Sequence, residues 1–533
     1  MIPVSSQFED TVKAAEKSPY PGFLISWAKN IDEDVKFFQL DHSYLDGPDK
    51  LVGSGDVITF FDKYDYVDET AYVANFRITK KISERPWGVI MATAEINLNN
   101  TTKRFMPGFD PTIGDYTDLP DRPVKLSVGL NGEFIKLFTG YAMRPKHSLV
   151  KRLSTITAYD AMTYLSTVES SLDAFVDTPM HEIIEALLIE QGFGYDQFDI
   201  EPSLQQPIGY LMPNGKIVTD IFQEMCEAEG YLLHANEDGI IQGWNRLHFL
   251  GDQAPVWHFD YDNLADMDFS TAPIINAVEV VATPYKPVAW NKIYETDDNP
   301  DDRLVPPGAS LDIFADFKDE NNVEFPAISV DAPVYVADAE GSSSYSTNLS
   351  RDGDGPTGSA DITLDSVYNF GNTYRMTFSN DGDSPIYITN ITLFGQPAKI
   401  TAVKSDIQRH DVSIQKYGIN PDNSKQVYEI DNTLIQDTAT ANAMAWLLVN
   451  IYGDPHGRFD LTNFVVPQLQ IGDPIEAYIA DLDTTKYCVV MGFELFLGVN
   501  ANFTHKLYVE EREEHTYFRL DHSYLDGPDG LAL

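Results

Sequence analysis

The chain has 533 residues, 43% of them hydrophobic and 12% aromatic, and carries 37 Lys and Arg against 82 Asp and Glu, a formal net charge of −45. That length predicts several domains with substantial cores, while the acidic excess excludes a surface that grips nucleic acid. Two cysteines, Cys226 and Cys488, are too few for a disulfide framework or a metal knuckle, and each is expected to be a small buried hydrophobe.

In chain order, "SSQFEDTVKAAEKSPYPG" predicts a short helix capped by Ser5 or Ser6 and stopped by Pro19 and Pro21. No basic, then apolar, leader opens the sequence and no run is long enough to span a bilayer, so no export signal and no membrane span are expected. From about 23 to 165 the pattern becomes β. In "ATAEINL", Ala92, Ala94, Ile96 and Leu98 fall on one face, and "VKLSVGLNGEFIKLFTG" reads as a hairpin turning at Asn131-Gly132. The strand "STITAYD" (154–160) follows.

Residues 170–250 predict an α+β module of two helices on a small sheet. The first helix has Thr178 as cap, Pro179 at its first position and Gly192 as its end, with Met180, Ile183, Ile184, Leu187 and Leu188 on one face. The second carries Val218, Ile221, Phe222, Met225 and Cys226 and stops at Gly230, after which a hairpin turns at Asn236–Gly239. Short strands among Asp, Asn, Gly and Ser in 291–395 suggest an inserted β-sandwich. Beyond it, "TATANAMAWLLVNIYG" predicts a helix with Met444, Leu447, Leu448 and Ile451 as its stripe and Gly453 as terminator. "LQIGDPIEAYI" predicts two β segments about a turn at Gly472-Asp473-Pro474.

Candidate chemistry is sparse. "HEIIE" (181–185) has Glu185 where a zinc helix needs its second His. Asp352, Asp354 and Asp361 miss the spacing of a calcium loop, and "DDNPDD" (297–302) reads as a solvated acidic loop. No phosphate-cradling glycine loop, nucleophile elbow or dinucleotide fingerprint occurs. No catalytic, cofactor-binding or metal residue is assigned.

One motif stands apart: "LDHSYLDGPD" occurs at 40–49 and again at 520–529, flanked by Phe38 and Leu51 and by Phe518 and Leu531. Its Asp-His-Ser run (41–43 and 521–523) is no triad, because consecutive residues of an extended chain point to alternate faces. A short strand ending in an Asp-Gly-Pro-Asp turn, anchored by its apolar residues, is the expectation.

The order of parts carries more than any motif. "RPVKLSVGLNGEFIKLFTGYA", "TITAYDAMTYLSTVE", "EMCEAEGYLLHANEDGIIQGW", "DVSIQKYGI", "LIQDTATANAMAWLLVNIYGDP" and "VVPQLQIGDPIEAYI" come in series. Over roughly 90–510 that series resembles the baseplate or tail-tip hub proteins (minor tail proteins) of tailed bacteriophages. The resemblance implies a mainly β fold with α+β modules. It would comprise two pseudo-equivalent β-barrel-like hub domains (23–168; 256–290 with 396–515), the two-helix module (169–255) and the inserted sandwich (291–395), with an N-terminal arm (1–22) and a C-terminal tail (516–533). It implies a homotrimer of pseudo-sixfold character closing the tail tube. Its partners would be an adjoining hexameric distal-tail or tube protein, a tape-measure protein and a fibre or receptor-binding protein. DNA would pass without specific binding. On this reading the duplicated peptide docks equivalent grooves through Phe38, Leu40, Tyr44, Leu45 and Leu51, and through Phe518, Leu520, Tyr524, Leu525 and Leu531. The alternatives are a tail-associated cell-wall or polysaccharide hydrolase and a carbohydrate-binding β-protein.

Overall fold

The computed structural model describes the chain except residues 14–17, 28–63, 83–86, 111–112, 114–119, 249–253, 261–263, 297–299, 319–324, 336–341, 352–354, 358–360, 370, 401–402, 423–425, 464–465, 480–482, 499–502 and 512–533. Both copies of the duplicated peptide lie outside the described residues, as do Asp352 and Asp354.

The fold is mainly β. Its largest element is a 14-stranded sheet, here numbered β1 (Tyr20–Ile25), β2 (Val67–Asp68), β3 (Val73–Lys81), β4 (Thr93–Asn99), β5 (Arg122–Leu130), β6 (Glu133–Ala142), β7 (Lys146–Ser148), β8 (Leu153–Tyr159), β9 (Trp257–Phe259), β10 (Leu264–Thr271), β11 (Gly457–Asn463), β12 (Pro474–Ile479), β13 (Thr484–Gly498) and β14 (Phe503–Glu511). The hydrogen-bonded path runs β10-β11-β14-β13-β3-β4-β8-β6-β5-β1-β2, with β12 and β9 extending from β13 and β7 from β8. The path is open, so no closed barrel is traced among the described residues. One core serves the whole sheet: Phe23, Phe76 and Ile96 from the N-terminal strands pack in one cluster with Leu461, Leu495 and Leu507 from the C-terminal ones.

Local sequence accounts for most elements. Ala92, Ala94, Ile96 and Leu98 are all buried, as their alternation predicts. The β5–β6 hairpin turns at Asn131 and Gly132, both at positive φ, the conformation that an Asn-Gly pair accepts at little cost. Six helices occur among the described residues: α1 (Ser6–Lys13), α2 (Ala161–Leu165), α3 (Met180–Glu190), α4 (Val218–Glu229), α5 (Asp411–Tyr417) and α6 (Thr438–Tyr452). Ser5 caps α1, its Oγ accepting from the Phe8 amide at 3.1 Å. Gly230 ends α4 in the left-handed conformation.

Four local expectations need correction. Pro21 lies within β1 rather than acting as a helix stop. Thr178 does not cap α3: Pro179 occupies that position without a side-chain bond, because the Thr178 backbone is pledged to a bridge with Ile208 and its hydroxyl donates to the Val176 carbonyl. Gly453 follows α6 in ordinary right-handed geometry, so it is no left-handed terminator. Only one strand flanks the Gly472 turn; residues 468–471 are not extended.

Three further cores occur among the described residues, the smallest formed by Ile82, Ile90, Leu232 and Ile471, and the other two are larger. In one, α3 and α4 share a cluster with α6, so that Met225 and Cys226 meet Met444 and Leu448. The helix α6 thus packs chiefly on the strand Ala277–Ala282 of a separate four-stranded sheet, and shares a core with the two-helix module instead of with the large sheet. In the other, a three-stranded sheet faces a seven-stranded one built around Ile386–Ile400, and Phe317, Met376, Phe378, Ile388 and Leu393 fill the space between them. No helix among the described residues is long and apolar enough to cross a membrane.

Candidate assembly interface

The strands of the large sheet repeat themselves. In chain order β3, β4, β5, β6 with β7, and β8 are matched by β10, β11, β12, β13 and β14, and each pairs with the corresponding neighbours in the same antiparallel sense. Irregularities recur as well. The β3·β4 register slips between Val73 and Asn75, and the β10·β11 register slips between Leu264 and Asp266. A slip between Val490 and Gly492 on β13 corresponds to the break between β6 and β7 opposite β8. Aligned on these slips, Ser154 and His505 are both buried polar residues, and the pairs Ile156/Leu507 and Ala158/Val509 are both buried. Pro123 and Pro474 begin corresponding hairpins.

Two differences separate the units. The strand β1 runs antiparallel to β5, whereas β9 runs parallel to β12. Between β3 and β4 lie residues 82–92, but between β10 and β11 lie residues 272–456, which hold the sandwich and α6.

The two units meet at a seam, β3 against the distal half of β13, in register from Asn75·Gly498 to Lys81·Gly492. Its inner face is apolar: Phe76, Ile78, Leu495 and Leu497 are buried. On its outer face Arg77 reaches diagonally to Glu494 at 3.3 Å and lies 5.9 Å from the Phe496 ring centroid. Gly492 allows close approach: a Cβ there would stand 2.6 Å from the Lys81 Cα.

At one end of the seam Lys80 is buried and binds β3 to the neighbouring module. Its Nζ donates to the Ala235 carbonyl at 2.6 Å and sits 3.2 Å from His234 Nδ1. Burial draws the ammonium down to about 8, against the opposing pull of Glu237 and Asp160. Burial and then the Lys80 charge hold the His234 imidazole well below its ordinary range, which leaves a neutral ring able to accept the Lys80 proton donor. On β14, between β11 and β13, Glu510 receives His456 Nε2 at 3.1 Å and Arg458 Nε at 2.9 Å. Burial raises that carboxyl, and the hydrogen bond from His456 together with the Arg458 charge outweighs it, leaving it below the usual range.

Beneath β10 lies an open groove of about 750 Å³ lined in part by Leu264, Met267, Phe269, Phe459, Tyr478 and Ile479. No cluster of three or more His, Cys, Asp or Glu side chains suited to a metal occurs among the described residues. His181 instead pairs with the Ser203 hydroxyl at 2.8 Å, and Cys226 and Cys488 are buried free thiols. Among the described residues the arrangement is one of strand edges and faces. Sequence reasoning passed over two segments that flank these edges, the basic "RPKHSLVKR" (144–152) and the acidic "FDYDNLADMDF" (259–269). A clustering of four Lys and Arg within 144–152, in a chain that has 37 in all, was the available signal.

No family model matches the sequence, and no curated protein matches it. Among solved structures, the 43 kDa tail protein of prophage MuSo2 from Shewanella oneidensis is 9% identical, with 84% of this chain and 95% of that one covered at a TM-score of 0.41. A tail protein from Neisseria meningitidis MC58 is also 9% identical, covering 84% and 94% at 0.41. A prophage tail protein from Listeria monocytogenes EGD-e is 10% identical, covering 85% and 93% at 0.38. Over most of its length this chain is similar to the tail proteins of bacteriophages.

Proposed function

We propose that this chain is a structural protein of a bacteriophage tail tip, a hub whose three copies form a ring of pseudo-sixfold character that closes the tail tube and opens a passage for DNA. The observation that carries this reading is the repeated β unit joined edge to edge within one polypeptide. A chain holding two like units presents six such units as a trimer, the geometry needed to mate a threefold ring with a sixfold tube. The net charge of −45 fits a bore along which DNA slides without sticking. No residue is given a catalytic role. The partners on this reading are the adjoining hexameric tube or distal-tail protein, a tape-measure protein and a fibre or receptor-binding protein, and the site is the virion tail tip.

The duplicated peptide belongs to the same proposal. Each copy adds as a strand or turn to an equivalent groove, through backbone pairing and the pocketing of Phe38, Leu40, Tyr44, Leu45 and Leu51 or of Phe518, Leu520, Tyr524, Leu525 and Leu531.

The reading is tested by sedimentation and imaging of the purified chain. A mass of three copies and a ring with an open axis are expected; single copies at every concentration, with no ring, overturn it.

A further inference from the structure

Within one copy the seam consumes one edge of each unit, the outer edge of β3 and the outer edge of distal β13. The matching edges of the repeat are the outer edge of β10 and that of β7 with its flanking residues. Neither has a strand partner on that side among the described residues. Uncovered strand edges template association; β10 offers eight residues and β7 three, followed by the turn at 149–152, and these two edges are complementary in ways that the intrachain seam explains.

We propose that β10 of one copy pairs antiparallel with residues 145–150 of a second copy, repeating the intrachain seam between chains. This rests on the ring reading above and specifies its contact. Carrying the β3·β13 register across the repeat places Asp266 opposite Val150, Met267 opposite Leu149, Asp268 opposite Ser148, Phe269 opposite His147 and Ser270 opposite Lys146. The run ends at Thr271 and Pro145, where proline has no N–H to give.

Three observations converge on this register. The first is apolar. Met267, Phe269 and Leu149 fall at the positions of Phe76, Ile78 and Leu497, which face the core in the intrachain seam and are fully buried. In the single chain Phe269 is 63% exposed and Leu149 75% exposed. Side chains of core type stand in water where the repeat calls for burial.

The second is electrostatic. The intrachain seam has a diagonal ion pair, Arg77 with Glu494. At the corresponding positions stand Asp268 and Lys146, so the pair recurs with its signs exchanged. A diagonal cross-strand pair of opposite charge is favourable in either polarity. The exchange also sets specificity. If β10 were to pair with the distal edge of a second copy's β13, Asp268 would face Glu494, and if β3 were to pair with residues 145–150 of a second copy, Arg77 would face Lys146. Each wrong seam sets like charges together.

The third is regional. The 144–152 segment holds Arg144, Lys146, Lys151 and Arg152, while 259–269 holds Asp260, Asp262, Asp266 and Asp268. In a molecule of net charge −45, a basic edge is the place where an acidic neighbour can approach.

Two sets of full-length variants test the seam. Asp268→Cys with Ser148→Cys places thiols directly opposite each other on the solvent face, at a strand-pair spacing that a disulfide spans. Mild oxidation is expected to yield covalently linked multimers, and the pair displaced by one residue, Asp268→Cys with His147→Cys, far fewer. Separately, Asp268→Lys or Lys146→Asp alone is expected to weaken self-association about fivefold per seam, and the double reversal to recover it. If wild-type chains sediment as trimers but neither cross-linking nor rescue follows, or if the disulfide closes within one chain, this seam is wrong and the ring reading stands. If wild-type chains never associate and no cross-link forms, the ring reading itself falls and takes the seam with it.

Discussion

At the residue scale, the chain's least expected side chain is Lys80, a cation placed where its equivalent, Thr271, is an exposed edge residue. Burial without a carboxylate in contact makes the ammonium costly, and the depressed value of about 8 against 10.5 measures that cost. Below about pH 8 the folded and unfolded chains both hold this proton, so the burial penalty is fully present. As pH rises from there toward 10.5 the folded state releases its proton first, the unfolded state binds more protons, and stability increases, by about 3 kcal/mol over the whole window. Urea midpoints taken at intervals from pH 7.5 to 9.5 should therefore climb in the wild type, and in Lys80→Met this contribution should vanish. Equal slopes in the two proteins would refute it. Nothing local in the sequence singled this residue out; what buries it comes from Leu232–Ala235, more than 150 positions away.

At the scale of elements, pattern was legible wherever a turn or cap is local. The Asn131-Gly132 hairpin, the stripe of α4 and its Gly230 stop each depend on residues within a few positions, and each stands as the alternation and caps predict. The misreadings share one physical cause. Thr178 would cap a helix in isolation, but its backbone is held by a bridge to Ile208, and Pro21 enters a strand because β5 offers it a partner. Long-range pairing outbids local preference when the two compete. Gly492 shows the same thing in reverse, since nothing local marks it as special. Its Cβ would meet the Lys81 Cα at 2.6 Å across the seam, so Gly492→Ala must push β3 and β13 apart. A loss of about 1–3 kcal/mol in unfolding free energy is expected, read as a lower thermal midpoint, whereas Gly132→Ala in the open turn should cost about 1 kcal/mol through its backbone conformation alone. Equal effects at the two sites would mean that the seam has slack.

At the scale of the whole molecule, repetition is the organising fact. Two units of like strand order share one core and one seam, and the proposed assembly extends that seam outward. The duplicated peptide is the one trace of twofold use that the sequence displays openly. If each copy docks an equivalent groove, removing residues 516–533 should lower the yield of assembled tails several-fold while the truncated chain remains folded by circular dichroism. Tails assembled at the normal yield would remove the peptide from the proposal.

By itself the sequence determined the β-rich character, the local turns and the apolar stripes of the helices, because periodicity, turn chemistry and residue type act over short distances. The resemblance implied two equivalent units, but the sequence did not disclose that the interruption of the second spans 272–456, or that α6 packs on the strand Ala277–Ala282 and shares a core with the two-helix module. Corresponding strands preserve inward and outward alternation and the positions of bulges, but scarcely any residue identity. Many different apolar side chains satisfy the same burial, so only the paired backbone, laid out in three dimensions, decided which edge is the counterpart of which.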